Sequence, residues 1–136
     1  MSTDALRQLG KQFFEEQDRL RGGPARALCA PHYSATLGGN PPMSRDGHEA
    51  FARAFYAAFP DMHHVIEDVF ATSDKVAVRF VIRGTHTGDF FGLPPTGRPV
   101  TVAANVLMHV SNGVVTKLAG VFDEAGMLRQ LGVLPG

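Results

Sequence analysis

Asp123 is the carboxylate whose setting in this 136-residue chain most invites chemistry. It follows an apolar run ending at Phe122 and precedes a short segment of helical character, Glu124–Gln130. An aspartate at such a junction makes a good helix N-cap. Aimed into an apolar cavity, a carboxylate there loses solvation and becomes harder to ionise. A base nearer neutrality is better matched to removing a proton alpha to a carbonyl. His109 lies fourteen residues earlier, across Asn112-Gly113, a strong hairpin turn signal. That spacing does not set it directly opposite Asp123. It is either a partly exposed strand-end histidine or a proton partner for the aspartate. Asn105 shares strand parity with His109. Its amide needs a partner if buried, either a structural network or a substrate oxygen.

The other polar candidates are weaker. His32 and Tyr33 are read as lining the mouth of a cavity. The adjacent pair His63-His64 would point to opposite faces of a strand and cannot easily share one metal, so no metal site is assigned. His86, within Gly-Thr-His-Thr-Gly, reads as structural, and His48 as a surface residue. Gly84 to Gly97 lacks the Lys-Ser/Thr pair of a phosphate-binding loop. Its Phe90, Phe91 and Leu93 suit the rim of a cavity instead. Arg79 and Arg83 share one strand face, expensive to bury unpaired, and are expected on an outer or dimer-contact face. The single cysteine, Cys29, reads as a packing residue and allows no internal disulfide.

These residues need elements to hold them. Ser2, Thr3 and Asp4 offer caps for a first helix carrying Leu6, Leu9, Phe13 and Leu20, ended by Gly22-Gly23. Pro24 suits a second short helix running toward Cys29. Pro31 to Pro42, with three prolines and two adjacent glycines, reads as a loop. Asp46 with Glu49 resembles a capping box for a third helix. Phe51, Ala54, Phe55, Ala58 and Phe59 share one of its faces, and Pro60 ends it. Phe55 and Phe59 join Phe91 as expected aromatic walls of a ligand site. Strands follow at 64–71, 75–87, 100–110 and 114–122, then a closing helix. Helices first and hairpin-linked strands after them indicate α+β, a curved, antiparallel or mixed sheet packed on N-terminal helices. Such a sheet leaves a pocket beneath it. The whole chain, 1–136, reads as a single domain.

Bulk composition agrees and excludes several classes. At 44% hydrophobic the chain can bury a proper core. Thirteen basic and thirteen acidic residues balance, so nothing draws the chain to nucleic acid or an anionic membrane. No run of about 18 apolar residues marks a transmembrane helix. No basic segment precedes an apolar one at the N-terminus, so no signal peptide is read and a cytoplasmic protein is expected. Ten Phe, two Tyr and no Trp put much of the apolar area into rings, in a core or a ligand cavity.

Three segments together resemble the SnoaL-like polyketide cyclase family of the nuclear transport factor 2-like superfamily. They are Ala58-Phe59-Pro60-Asp61; Gly84-Thr85-His86-Thr87-Gly88-Asp89-Phe90-Phe91-Gly92 with Pro94-Pro95-Thr96-Gly97; and Asp123 followed by Met127-Leu128-Arg129-Gln130-Leu131-Gly132. The resemblance runs from about Leu6 to Leu134. It implies a cone-shaped α+β barrel, often dimeric, with a cavity between helices and sheet. Founding members close the last ring of aromatic polyketides by intramolecular aldol condensation without metal or cofactor. Their acid/base aspartate matches Asp123, and a nearby histidine on the preceding strand matches His109. Other members are hydroxylases, isomerases or lyases, so the fold alone does not fix the function. Many relatives carry Trp where this chain has Ala119 or Gly120, and His where Ala35 stands. The expectation is cofactor-independent acid/base chemistry on a small apolar carbonyl compound, by a homodimer. The alternatives are an isomerase- or hydroxylase-type member and a non-catalytic small-molecule binder.

Overall fold

The computed structural model describes residues 1–135. Helix α1, Thr3–Leu20, begins where the Ser2 hydroxyl accepts the Ala5 N–H. Leu6, Leu9, Phe13, Phe14 and Gln17 bury one face of it. It stops one residue before the glycines, at Arg21 in a left-handed conformation. A single 3-10 turn, Arg26–Leu28, replaces the expected second helix.

The segment read as a loop is largely strand. β1, Cys29–Leu37, lies parallel to the last strand, and the short β2, Met43–Ser44, pairs antiparallel with β1. Pro31 sits where the β1 register shifts, between Cys29 and Ser34, so its missing N–H costs no ladder bond. Pro41 and Pro42 fall between the two strands. Helix α2, Arg45–Ala58, is capped by Ser44, two residues before the expected Asp46.

Strands β3 (His63–Thr72), β4 (Lys75–Thr85), β5 (Pro99–Ser111) and β6 (Val114–Phe122) form an antiparallel meander, and α3, Glu124–Gln130, closes the chain. The six strands run β2-β1-β6-β5-β4-β3, a mixed sheet on N-terminal helices, as expected for the α+β class. Along β5 burial alternates strictly: Val100, Val102, Ala104, Val106, Met108 and Val110 face the core, and Thr101, Ala103, Asn105 and Leu107 face out. The core has two halves. Leu6, Phe13, Phe14, Tyr33, Val76, Val78 and Met108 pack under α1. Phe55, Phe59, Met62, Val102, Met127 and Leu131 pack between α2, the sheet and α3. Ile82 and Phe122 touch both. Each fully buried ring or branched chain contributes about 1.5–3 kcal/mol. Among the described residues no helix is long and apolar enough to cross a membrane.

Candidate functional site

The second core half is built from rings at helical spacing. Phe51 and Phe55 lie one turn apart on α2, and Phe59, its C-cap residue, continues the spacing. Phe90 and Phe91 come from the loop after β4, and Phe122 ends β6. Phe55 is the hub: its ring centre lies 5.0 Å from Phe51, 5.1 Å from Phe90, 6.0 Å from Phe122, and 6.3 Å from both Phe59 and Phe91.

Three apolar spaces surround this hub. One, with about 10 Å³ of free room, lies among Phe55, Phe59, Ile82, Val102, Phe122 and Met127. A second, with about 60 Å³, lies toward Leu37, Phe80 and Ala104. The third, of about 300 Å³, opens at the surface among Phe51, Phe90, Phe91, Asn40, Glu124 and Met127. Phe55 and Phe122 line all three, so these two rings stand between them. As they stand the two inner spaces are too small for a ligand and only the surface opening reaches the range that holds one; a ligand reaches the inner spaces only if the dividing rings turn. The polar groups at the edge of this chamber are Asn40 and Glu124, both at the surface opening.

Asp123 sits beside that opening, between Phe122 and Glu124. Its side chain is exposed and caps α3: Oδ1 accepts the Gly126 N–H at 2.9 Å. Gly126 makes room for this, since a Cβ there would lie 2.1 Å from Asp123 Oδ2. The carboxylate lines none of the three spaces.

The strand register separates the residues expected to accompany it. Phe122 pairs with Ala104, and the Asp123 N–H donates to Ala103 O at 2.9 Å. His109 is opposite Lys117 and Lys75, six residues further along β5, or about 20 Å at 3.4 Å per residue. The position beside Asp123 is therefore Ala103, and the expected pairing of His109 with Asp123 is not formed. Asn105, opposite Arg79 and Val121, is exposed on the outer face of the sheet, away from the chamber. The same parity governs both: even positions of β5 face the helices and odd positions face out.

His32 is exposed on β1, and Tyr33 points into the first core half, so neither reaches the mouth. Tyr33 is committed elsewhere. Its hydroxyl meets His48 Nδ1 at 2.9 Å with the rings stacked. His48, expected at the surface, is buried, and burial lowers its pKa to about 4. Burial likewise raises the Tyr33 hydroxyl far above its ordinary value.

Of the expected aromatic walls, Phe55 and Phe59 border the inner space and Phe91 borders the opening. Sequence reasoning missed Phe122, Glu124 and Asn40. The first two had a signal, as the immediate neighbours of Asp123 where strand passes into helix. Asn40 had none, because β1 and β2 were read as loop. It also missed Asp18, which accepts from Tyr56 Oη at 2.6 Å and from the His64 backbone N–H at 2.8 Å, with His64 Nδ1 at 2.8 Å. Burial alone would raise Asp18, but the hydrogen bonds from His64 and Tyr56 outweigh it and hold the carboxyl below its ordinary value. This group ties α1, α2 and β3 together. Among the described residues no three His, Cys, Asp or Glu side chains gather as a metal would require.

Residues 6–131 match the family model of SnoaL-like polyketide cyclases. No curated protein sequence matches the chain. Among solved structures, IdmH of Streptomyces antibioticus, a candidate polyketide cyclase, is 32% identical, with TM-score 0.74 over 96% of this chain and 97% of its own. AclR of Streptomyces galilaeus, a candidate hydroxylase, superposes with TM-score 0.90 at 24% identity, over 99% of this chain and 89% of its own. A SnoaL-like polyketide cyclase candidate from Jannaschia sp. CCS1 superposes with TM-score 0.87 at 22% identity, over 98% and 95%. The last two are likenesses of fold.

Proposed function

Since the chain belongs to the SnoaL-like polyketide cyclase family, we propose that it performs cofactor-independent acid/base chemistry on a small, mostly apolar carbonyl compound. One observation carries this reading. An aromatic chamber opens at Phe91, Phe122 and Glu124, and Asp123 is the residue between the last two of these in the chain. An apolar ring system buries itself among Phe51, Phe55 and Phe91, leaving its polar end at the two carboxylates. Asp123 is the proposed base. It removes a proton alpha to the carbonyl, and the same proton can later reach the developing alkoxide. His109 has no part, because the register holds it at the far end of β5. Removing the proton requires Asp123 to release the Gly126 N–H and turn over the opening. An isomerase with the same groups differs only in where the proton returns.

The second reading is a small-molecule binder without catalysis. It is favoured by one observation: the Asp123 carboxylate is engaged as an exposed cap. Turnover in the parent protein separates the two readings, since a binder holds its ligand unchanged, and a substitution then tests the base. Asp123→Asn keeps the cap acceptor, so the fold changes by at most about 1 kcal/mol. If Asp123 is the base, turnover falls roughly 10²–10⁴-fold with ligand affinity intact. Unchanged turnover in Asp123→Asn moves the chemistry to another group, Glu124 first, and Glu124→Gln tests that.

A further inference from the structure

His86 is the residue of the Gly-Thr-His-Thr-Gly segment that the proposed chemistry leaves unused, and its side chain is fully buried. Its backbone closes the loop between β4 and β5. The His86 N–H donates to Arg98 O at 3.0 Å, and its carbonyl accepts from Gly97 at 2.8 Å. The Thr96 N–H donates to Nδ1 at 3.1 Å, with Thr96 Oγ1 at 3.0 Å. An amide N–H can only donate, so Nδ1 is the unprotonated nitrogen of the ring. The hydrogen therefore sits on Nε2. Among the described residues no group accepts it, although the nitrogen is buried.

The other buried imidazole pairs have partners, Tyr33 for His48 and Asp18 for His64. A buried donor without one is costly, and such sites call for a cause. The surroundings of His86 suggest the cause. His86 itself lines none of the three spaces, but Gly84, two residues earlier at the end of β4, lines the innermost one. The Phe59 ring, which lines that space too, is centred 5.3 Å from the imidazole. The Phe90 ring, which lines the surface opening, is centred 6.3 Å away and nearly perpendicular. Nδ1 is turned to Thr96, so the opposite edge of the imidazole is turned away from the loop backbone. An aromatic face is a weak acceptor and does not replace an oxygen.

We propose that His86 Nε2–H is the buried hydrogen-bond donor for a ligand carbonyl oxygen that enters the chamber between Phe59 and Phe90. This deepens the reading of the chamber as a carbonyl-compound site and rests on it. It gives an otherwise apolar space a means to distinguish a ketone from a hydrocarbon of the same shape. A ring system seated this way would have its buried oxygen at His86 and its reactive end at the Asp123–Glu124 rim. Thr96 then acts as a positioning residue, fixing the tautomer from the other side of the ring.

The test uses the whole chain and two probes of matched size, 1-acetonaphthone and 1-ethylnaphthalene. Binding is followed by calorimetry and by side-chain ¹⁵N–¹H NMR of the histidines. The expected result is an Nε2–H tautomer at His86, a ketone bound about ten-fold tighter than the hydrocarbon, and an Nε2–H resonance that moves only with the ketone. In His86→Phe the preference disappears while the hydrocarbon still binds. Equal binding of both probes with an unmoved resonance overturns the donor role and leaves the chamber reading standing. An Nδ1–H tautomer overturns it as well. If neither probe binds, the chamber reading falls and the donor role with it. His86→Phe strands the Thr96 N–H and can lower stability, but the NMR result on the unsubstituted protein decides the question without that variant.

Discussion

At the scale of single residues, the polar groups of this protein are mostly spent on architecture. His48 is the clearest case. Burial favours its neutral form and lowers its pKa from the ordinary 6.5 to about 4. The unfolded chain takes up that proton near pH 6.5, whereas the folded chain resists it until about pH 4. Stability is therefore full above pH 6.5 and declines as the pH falls from 6.5 to 4, by about 3 kcal/mol for this group. Asp18, held low by His64 and Tyr56, adds a further loss at the acid end, below the ordinary carboxylate range. Denaturant unfolding at pH 7.0 and pH 4.5 checks this. In His48→Gln, which can still meet the Tyr33 hydroxyl, the drop between those two values should shrink markedly. An unchanged drop would place the titrating group elsewhere.

At the scale of elements, one contact docks a helix on the sheet and another divides the chamber. Helix α1 docks on β4 through Gly10, where an added Cβ would lie 2.7 Å from Val76 Cγ1 and 3.3 Å from Val78 Cγ2. Gly10→Ala forces the helix off the sheet. It should cost about 1–3 kcal/mol, the usual penalty for overpacking, despite alanine's better helix propensity. A higher melting temperature in Gly10→Ala would refute the close docking. On the other side, Phe55 of α2 stands between the three apolar spaces. Phe55→Ala should lower stability by about 3–5 kcal/mol. It should also join the inner space to the opening, so naphthalene-sized probes bind tighter to the folded fraction than to the parent protein. Weaker probe binding would mean that the Phe55 ring is a contact surface and not a partition.

At the scale of the whole molecule, the outer face of the sheet is the feature left to explain. Val106 and Met108 of β5 face the core. The outward apolar residues are instead Phe70, Leu107 and Val121, each more than a third exposed, with Val65 beside them. Phe70 and Leu107 lie in one paired row with Ala77 and Ala119, Val65 in another with Val81 and Ala103, and Val121 in the row between. Between them Arg79 is paired with Glu67 at 3.2 Å and lies opposite Asn105. We propose that two copies of the chain meet on this face as a homodimer, burying these rows against each other. Light scattering at micromolar concentration should give twice the 14.6 kDa chain mass, and Leu107→Lys should return the monomer. A parent protein that is monomeric under those conditions defeats the proposal.

How much of this was legible beforehand follows from the range of the forces involved. The sequence by itself determined α1, α2, the β4–β5–β6 meander with its Asn112-Gly113 turn, the closing helix and the family, because caps, periodicity and turn chemistry act over a few residues. It also determined more about Asp123 than was taken from it. Counting back through the turn leads to Val102, and the register shift between His109 and Val110 moves the position by one residue, to Ala103; only the family resemblance pointed to His109. The tertiary structure alone decided the rest. β1 is a strand because β6, just over eighty positions away at Ser34 and Lys117, offers it a parallel ladder that no local pattern announces. His48 is buried because Tyr33 of β1 covers it, so that error followed from the missed strand. Asp18 meets His64 and Tyr56 across three elements. Phe55 and Phe122 divide the chamber only once helix and sheet have packed. Contacts between distant positions depend on register and packing, which are settled when the whole core closes.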